Sequence, residues 1–579
     1  MDDQNLSDIS MKGAPACGRC HMLVARFAPQ VVASTGTYHR ECFEAWYFGR
    51  YGKRPALTAA PTAIVTASRC ARPPRAARPR ERTGVRRRRR ARNTTRVERD
   101  SLGPVQVPRR ALWGAFTERA RHTFHLSGRP PHPALVRGYA LIKQAAARVN
   151  ARLGLLPPRW AGAIERAARR VAAGTVADAA VIDILQAGAG TPAHMNVNEV
   201  IANLANERLG GRRGRYVPIH PNSHVNLGQS SNDVTPTAIR LMALALRRPL
   251  DAELAALGRT LRRLAARERG VVKPGRTHLQ DAVPITWGQV LGGWAQAMED
   301  GRRALERAAG ELAVIGLGGT AVGTGLTAHP RFRARVVREL ARLTGERLRP
   351  APTPVTTAWS LRPLLAGSAA LRGIALDLSK ICVDLRLLAS GPDAGFAEVR
   401  LPEVEPGSSI MPGKVNPSVP EAVQMACFQT AAHDHAVALA AAAGELELNV
   451  MTPLVADNLA GAFETLTRAV RLLRERCLDG LAVDRRRAQA LVNGSLIEAT
   501  ALSPYLGYDV TAELVKDARA RRRPLRQVAV DHGLLDAREV ARVLSPAALT
   551  GPRATDVALR RRVQRAPAYR AFRAAHGRE

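Results

Sequence analysis

Aromatic residues and cysteine are scarce in this chain of 579 residues, and long apolar runs are missing. Aromatics make up 4% of the residues, and the 7 cysteines are irregularly spaced, which excludes a framework of disulfide bonds. No apolar run approaches the roughly 20 residues that a membrane span needs. The first segment, MDDQNLSDIS, is polar and acidic and does not resemble a signal peptide. We therefore predict a soluble cytoplasmic protein that does not contact a membrane.

Lysine is scarce as well. Lys and Arg together number 87 against 49 Asp and Glu, a net charge of +38, but only 7 of them are Lys. An arginine excess spread along a whole chain is typical of a GC-rich coding sequence, so the total charge does not by itself indicate a nucleic acid partner. The charge is uneven, because residues 1–94 carry 19 basic and 6 acidic residues. A polyanion or nucleic acid is a candidate partner for this segment.

The N-terminal segment also holds a cluster of cysteine and histidine. Four residues follow the spacing of a structural zinc site, Cys17-x2-Cys20-x18-His39-x2-Cys42. Such ligands can stabilise a unit too small to fold by its own core. We predict a small Cys/His zinc-binding module over residues 1–50 and a disordered Arg/Pro-rich linker over 51–94. The alternatives are free thiols without zinc, and a translation start near residue 95.

From about residue 95 the sequence has the pattern of long helices. Leucines over residues 250–264 step alternately by 4 and 3 directly after Pro249, which suits the first turn of a helix. Similar apolar spacing covers residues 287–298 and 371–388. Residues 419–443 are apolar on nearly every face, which predicts a helix buried all round. Together these segments predict an all-α fold built on a bundle of long helices.

Four polar, glycine-rich stretches interrupt the helical pattern. They collect hydroxyls, amides and a few charges beside glycine, whose exposed N–H groups suit an anionic substrate such as a carboxylate. Taken singly, each has an ordinary explanation as a helix N-cap, a surface or core histidine, or a flexible loop. The stretches lie at residues 188–199, 228–233, 275–281 and 407–417.

The last three of these stretches carry a resemblance to a known family. Residues Gly407 to Asn416 have the form G-S-x-x-M-x-x-K-x-N, which is typical of the fumarase/aspartase superfamily, and the other two resemble its remaining signature regions. The resemblance covers about residues 95–550. It implies an all-helical protomer of three domains with a long central bundle, assembled as a homotetramer. The predicted divisions are an N-terminal lyase domain (95–228), a central helical bundle (229–485), a C-terminal lyase domain (486–550) and a basic tail (551–579).

The resemblance implies a reversible β-elimination that releases fumarate from a small dicarboxylate without a cofactor. A base removes the proton next to a carboxylate, and donors already in place stabilise the resulting aci-carboxylate dianion. By resemblance Ser408 is the general base, and Lys414 and Asn416 bind the carboxylate that gains charge. His278 resembles a histidine that binds substrate or leaving group, and Glu421 a carboxylate that orients it. The other expected substrate contacts are Thr191, Ser230, Ser231, Asn232, Thr277 and Ser409.

The resemblance also implies that each active site draws its signature regions from three subunits, so we expect a monomer to be inactive. Residues 186–191 and the segments flanking the catalytic loop resemble aspartate ammonia-lyases, whereas residues 230–232 and 318–324 resemble class II fumarases. We favour aspartate ammonia-lyase, with class II fumarate hydratase as the alternative. A further alternative is a non-catalytic nucleic-acid-binding protein. The sequence departs from both branches where they usually carry Asn or Gly-Pro-Arg, at His194, Thr327, Val383 and Asp393.

Overall fold

The computed structural model describes residues 30–33, 36–39, 44, 62–65 and 94–576. The chain divides into two compact units, Met1–Ala91 and Arg92–Glu579. In the first, strand β1 (Gln30–Ala33) pairs antiparallel with β2 (Gly36–His39) and parallel with β3 (Thr62–Val65), which lies inside the predicted linker. Cys17, Cys20 and Cys42 lie outside the described residues, as does the side chain of His39. The zinc module and the polyanion partner of this segment stay predictions.

The second unit is mainly helical, which confirms the predicted fold class. Its strands form short two-stranded ladders, β4 (Thr95–Asp100) with β5 (Gly103–Pro108), β6 (Val272–Thr277) with β7 (Gln280–Thr286), β8 (Val314–Ile315) with β9 (Arg349–Pro350) and β10 (Val399–Arg400) with β11 (Ala482–Val483). The helices up to the end of the bundle are α1 (Ala115–Thr123), α2 (Pro133–Arg152), α3 (Pro158–Ala172), α4 (Thr191–Arg208), α5 (Ser231–Arg267), α6 (Trp287–Leu312), α7 (Phe332–Thr344), α8 (Pro354–Trp359), α9 (Arg362–Leu388), α10 (Ser418–Ala442) and α11 (Thr452–Leu473). The later helices are α12 (Arg485–Asn493), α13 (Ala499–Leu506), α14 (Tyr508–Arg521), α15 (Leu525–Asp531), α16 (Ala537–Val543), α17 (Pro546–Leu549), α18 (Val557–Arg565) and α19 (Pro567–His576).

Five long helices of the described chain close the central bundle. Helix α5 packs on α6, α6 on α9, α9 on α10, α10 on α11, and α11 returns to α5. The apolar positions predicted over residues 287–298 and 371–388 are buried in α6 and α9, as expected. No helix among the described residues is long and apolar enough to cross a membrane. Two of the polar stretches, residues 228–233 and 407–417, lie at the N-terminal ends of the bundle helices α5 and α10.

Pro249 lies inside a helix rather than in its first turn, so that prediction is wrong. Helix α5 runs for 37 residues through Pro236 and Pro249. A proline in a helix interior removes a backbone hydrogen bond and costs about 3 kcal/mol. Leu244 and Leu250, on either side of Pro249, are both buried in the bundle core. Tertiary packing of both halves outweighs the local cost, and the helix therefore begins at Ser231, in one of the polar stretches.

Helix α10 is buried along one face only, whereas the sequence predicts burial all round. Its buried side includes Val423, Cys427 and Val437. On its other side Met425 and Phe428 are 60% and 57% exposed. The prediction is wrong for the single chain, because an apolar pattern cannot distinguish burial within a chain from a face left for another molecule to cover.

A second hydrophobic core lies near the C-terminus and extends from Leu502 to Phe572. Helices α18 and α19 contribute Leu559 and Val563 to it, together with Tyr569 and Phe572. The C-terminal domain thus continues past residue 550, where the sequence analysis places the start of a basic tail. The reason is that apolar residues recur at helical spacing between the arginines, so one face of each helix is buried while the charges face solvent.

Thr327 has a backbone φ of 72°, a left-handed conformation that a β-branched residue rarely adopts. Its side chain is exposed. Because asparagine tolerates this conformation, we expect Thr327→Asn to raise the free energy of unfolding by about 1 kcal/mol. Urea unfolding measures the change, and Thr327→Val, which keeps the β-branch, serves as the control. Equal stability of the two variants would show that the backbone is not strained here.

Candidate active site

The N-termini of α4 and α5 bring together three of the predicted substrate contacts. Thr191 is the first residue of α4, and Ser231 and Asn232 are the first two residues of α5. The two ends approach so closely that a Cβ atom on Gly190 would lie 2.8 Å from Thr235 Cγ2. Helix N-termini carry a partial positive charge, so two such ends side by side favour a bound carboxylate. At the start of α4 this is an effect of the helix dipole, because Pro192 has no N–H and the N–H groups of Thr191 and Ala193 already donate to Gly188 O and Gln186 Oε1.

Ser230 is the N-cap of α5, which is the ordinary explanation considered for this stretch. Its Oγ accepts a hydrogen bond from Asn232 N at 3.3 Å, and Asp233 Oδ1 accepts one from Ser230 N at 2.9 Å. This reciprocal capping box fixes where the helix begins. The substrate contact expected from Ser230 stays a prediction.

The loop of residues 318–321 is hydrogen-bonded to the N-terminus of α5. Asp233 Oδ2 accepts hydrogen bonds from Gly318 N and Thr320 N, both at 2.9 Å, and Asn232 Nδ2 donates to Ala321 O at 2.8 Å. Burial raises the pKa of the Asp233 carboxyl to about 6, while the backbone N–H donors act in the opposite direction. The carboxyl of Asp233 holds the loop against the helix through these hydrogen bonds.

A fully buried lysine lies behind these helix ends. Lys143 Nζ is 2.5 Å from His194 Nε2, 2.8 Å from Asn226 Oδ1 and 2.9 Å from Gln229 Oε1. Three acceptors match the three protons of an ammonium group. Burial holds the pKa of Lys143 well below its usual value, and the charge of Asp233 opposes that shift. In its ammonium form, Lys143 adds to the attraction of the two helix ends for an anion.

His194 connects this lysine to a predicted substrate contact. Its Nδ1 is 2.8 Å from Ser231 Oγ, and the side chain is completely buried. Burial first, and the neighbouring Lys143 second, hold the pKa of His194 well below its usual value. The imidazole is therefore neutral.

Thr277 and His278 lie at the tip of the β6–β7 hairpin. His278 and Leu279 have φ angles of 55° and 61°, the pattern of a two-residue type I′ turn, here built without glycine. Such strain is typical of functional positions. Glu398 forms ion pairs with two residues of strand β6, Lys273 at 3.2 Å and Arg276 at 2.5 Å. These ion pairs anchor β6, and both predicted site residues at the hairpin tip are exposed, without a side-chain hydrogen bond in the described chain.

The loop before α10 carries four further predicted site residues. It is closed by hydrogen bonds from Gly407 N to Lys414 O at 2.8 Å and from Asn416 Nδ2 to Gly407 O at 2.6 Å. Ser408 Oγ accepts hydrogen bonds from the backbone N–H groups of Ile410 at 3.2 Å and Met411 at 3.1 Å. The side chains of Ser409 and Lys414 are exposed. The loop thus holds a serine oxygen beside two donors and an exposed cation.

Within one chain these three groups of residues are not joined. No hydrogen bond or ion pair among residues 94–576 connects the helix ends, the hairpin tip and the Ser408 loop. Glu421 lies 3.9 Å from Arg386 and does not contact His278. A cavity of about 990 Å³ beside the hairpin is lined by Thr277 and by no other predicted site residue. The expected pairing of Glu421 with His278 stays a prediction.

The described residues contain no group of His, Cys, Asp and Glu side chains that could hold a metal ion.

Residues 103–431 match the protein family described as Lyase, and residues 499–551 match the family described as Fumarase C C-terminus. The chain belongs to the fumarase/aspartase superfamily. The recognition made from the sequence is thereby confirmed, and the chain is a lyase.

Relatives within the superfamily have two different activities. The chain is 43% identical to a class II fumarate hydratase of Photorhabdus laumondii, over 79% of this chain and 99% of that protein. It is 42% identical to an aspartate ammonia-lyase of Pseudomonas fluorescens, over 79% of this chain and 96% of that protein. Overall identity therefore does not distinguish the two reactions.

Two crystal structures have the same fold. Fumarate lyase:delta crystallin from Brucella melitensis, bound to cobalt, is 42% identical with a TM-score of 0.76. A class II fumarase from Schistosoma mansoni is 35% identical, also with a TM-score of 0.76. Each match covers 79% of this chain and 100% of the other chain.

Sequence reasoning missed the polar residues that support the helix ends. Lys143, Asp233 and the loop at residues 318–321 received no role, and His194 was noted only as a departure from the superfamily. A signal for Lys143 was present, because it is one of only 7 lysines in a chain that favours arginine.

Proposed function

We propose that this superfamily member is an aspartate ammonia-lyase, which removes ammonia from L-aspartate to give fumarate. The observation that carries the choice is the aspartase-like segment of residues 186–191, which leads into the N-terminus of α4. There Gln186 Oε1 accepts a hydrogen bond from Ala193 N at 2.6 Å, and Thr191 Oγ1 donates to Gly188 O at 2.6 Å. The segment that resembles aspartases therefore shapes one of the two helix ends suited to a carboxylate.

In the proposed reaction Ser408 removes a proton from the carbon next to a carboxylate of the substrate. The electron pair of the C–H bond moves into that carboxylate, and the aci-carboxylate dianion then expels ammonia as the C–N bond breaks and the double bond of fumarate forms. A serine can act as a base only if its alkoxide is stabilised. The two N–H groups that point at Ser408 Oγ support this role, because they stabilise negative charge on that oxygen.

Two features support a homotetramer with active sites shared between subunits. The apolar face of α10 is exposed in the single chain, although exposed apolar surface of this kind usually marks a contact with another protein. The hairpin tip with His278, the loop with Ser408 and the ends of α4 and α5 are well formed but separate. Assembly would cover the apolar face and let segments from different subunits meet, Glu421 with His278 included.

Class II fumarate hydratase is the second candidate. It is supported by the fumarase-like loop of residues 318–324, part of which is hydrogen-bonded to Asp233 at the N-terminus of α5. In that case the leaving group is hydroxide rather than ammonia, and the base and the carboxylate site keep the same roles.

Fumarate formation from L-aspartate and from L-malate, followed by absorbance, tests the proposal. We expect kcat/KM for L-aspartate to exceed that for L-malate at least about tenfold, because one hydrogen bond fitted to the ammonium group contributes on that scale. The reverse reaction with fumarate and ammonia should then form aspartate. Rapid hydration of fumarate without any aspartate formation would instead identify a hydratase.

A further inference from the structure

The protonation state of Lys143 determines the tautomer of His194. Lys143 Nζ lies 2.5 Å from His194 Nε2, and in its ammonium form it has only donors to offer to this nitrogen. A nitrogen that accepts hydrogen bonds cannot carry the proton of a neutral imidazole. With Lys143 as an ammonium group, the imidazole proton is on Nδ1, and it points at Ser231 Oγ, 2.8 Å away.

This arrangement determines what Ser231 can offer to a ligand. Its hydroxyl oxygen accepts from His194, and its own proton has no other partner in the described part of the chain. Ser231 is partly exposed at the first position of α5, where the N-termini of α4 and α5 converge. The hydroxyl proton is thus free to be donated to an anion bound there.

We propose that His194 is a positioning residue that makes Ser231 a hydrogen-bond donor to a carboxylate of the substrate, with Lys143 holding the imidazole in the required tautomer. The inference rests on the proposed function only in taking the ligand to be a dicarboxylate. It assigns a role to a buried side chain at a position where the superfamily usually carries Asn. Without the imidazole donor, the serine proton could rotate toward another acceptor, and the substrate would lose a hydrogen bond.

Two amide variants separate this role from simple support of the buried lysine. The amide of Asn in His194→Asn reaches about the position of imidazole Nδ1, so it can still donate to Ser231 but does not reach Lys143. The longer side chain in His194→Gln reaches about the position of Nε2, so it keeps an acceptor for Lys143 and loses the donor to Ser231. If His194 only supports Lys143, His194→Gln should bind succinate more tightly than His194→Asn. If His194 positions Ser231, His194→Asn should bind succinate more tightly than His194→Gln.

The experiment measures binding of succinate, an unreactive dicarboxylate, by calorimetry, and KM and kcat with the reactive substrate. We expect His194→Gln to weaken succinate binding and raise KM about tenfold, with a smaller effect on kcat, whereas His194→Asn stays within about threefold of the wild type. Ser231→Ala should weaken binding about tenfold, and adding His194→Gln to it should cost nothing further.

Succinate binding by His194→Gln equal to that of the wild type, or a His194→Asn variant as weak as His194→Gln, would overturn the inference. So would a further loss when His194→Gln is added to Ser231→Ala. If His194→Gln does not fold, the comparison of His194→Asn with Ser231→Ala still decides, because the first must bind succinate and the second must bind it weakly. A wild type that turns over neither substrate but shows this binding pattern would refute the proposed function and leave the inference standing.

Discussion

Replacing Ser408 by alanine is expected to lower kcat about 10³-fold while KM changes less than about threefold. Loss of a general base typically costs 10²- to 10⁴-fold in rate. Binding should survive, because the side chains expected to hold the two carboxylates, Lys414 among them, remain in place. Steady-state fumarate formation measures both constants. Succinate binding shows independently whether the variant still binds a dicarboxylate.

Ser418→Ala is the matched control for this substitution. Ser418 is the first residue of α10, ten positions after Ser408, and its side chain makes no hydrogen bond in the described chain. The same change of serine to alanine beside the same loop should leave kcat within about twofold, as expected for a site without such an interaction. A Ser408→Ala enzyme that retains more than a tenth of the wild-type rate would remove Ser408 from the role of base.

The parts of the fold that could be predicted are those encoded by local patterns. Apolar spacing located the helices over residues 287–298 and 371–388, and polar, glycine-rich stretches located the helix ends and loops that carry the site. Prediction failed where the result depends on long-range packing. Pro249 suited a helix start, but burial of both flanking segments extends α5 through it. The exposed face of α10 could not be foreseen, since an apolar sequence does not say what covers it.

In the candidate site, too, residues in local motifs could be predicted and residues brought together by long-range packing could not. Ser408, His278 and Thr191 follow from motifs that are contiguous in sequence. Lys143 and His194 are 51 residues apart and meet only because α2 and the start of α4 lie together in the folded unit. No local pattern links two such residues. The polar groups that support a site are for this reason harder to predict than the groups expected to touch substrate.

Mixing two inactive variants is expected to restore activity if the active sites are shared between subunits. Ser408→Ala and His278→Asn should each retain under about 1% of the wild-type activity. In tetramers that contain both chains, a site that draws the Ser408 loop and the His278 hairpin from different subunits receives both intact segments about a quarter to a third of the time. Co-expression with two affinity tags and tandem purification yields the mixed tetramers, and their activity should approach that fraction.

A second pair of variants controls for recovery by any other route. Ser408→Ala and Lys414→Ala alter the same loop, which a single chain supplies, so every site in the mixed tetramers contains a defective loop and no activity should return. Recovery with the first pair alone supports sharing between subunits, because only segments from different chains can be recombined in this way. If neither pair recovers although mixed tetramers form, one subunit supplies both segments. The separation of the hairpin tip from the Ser408 loop in the single chain would then have to be closed by a movement within that chain.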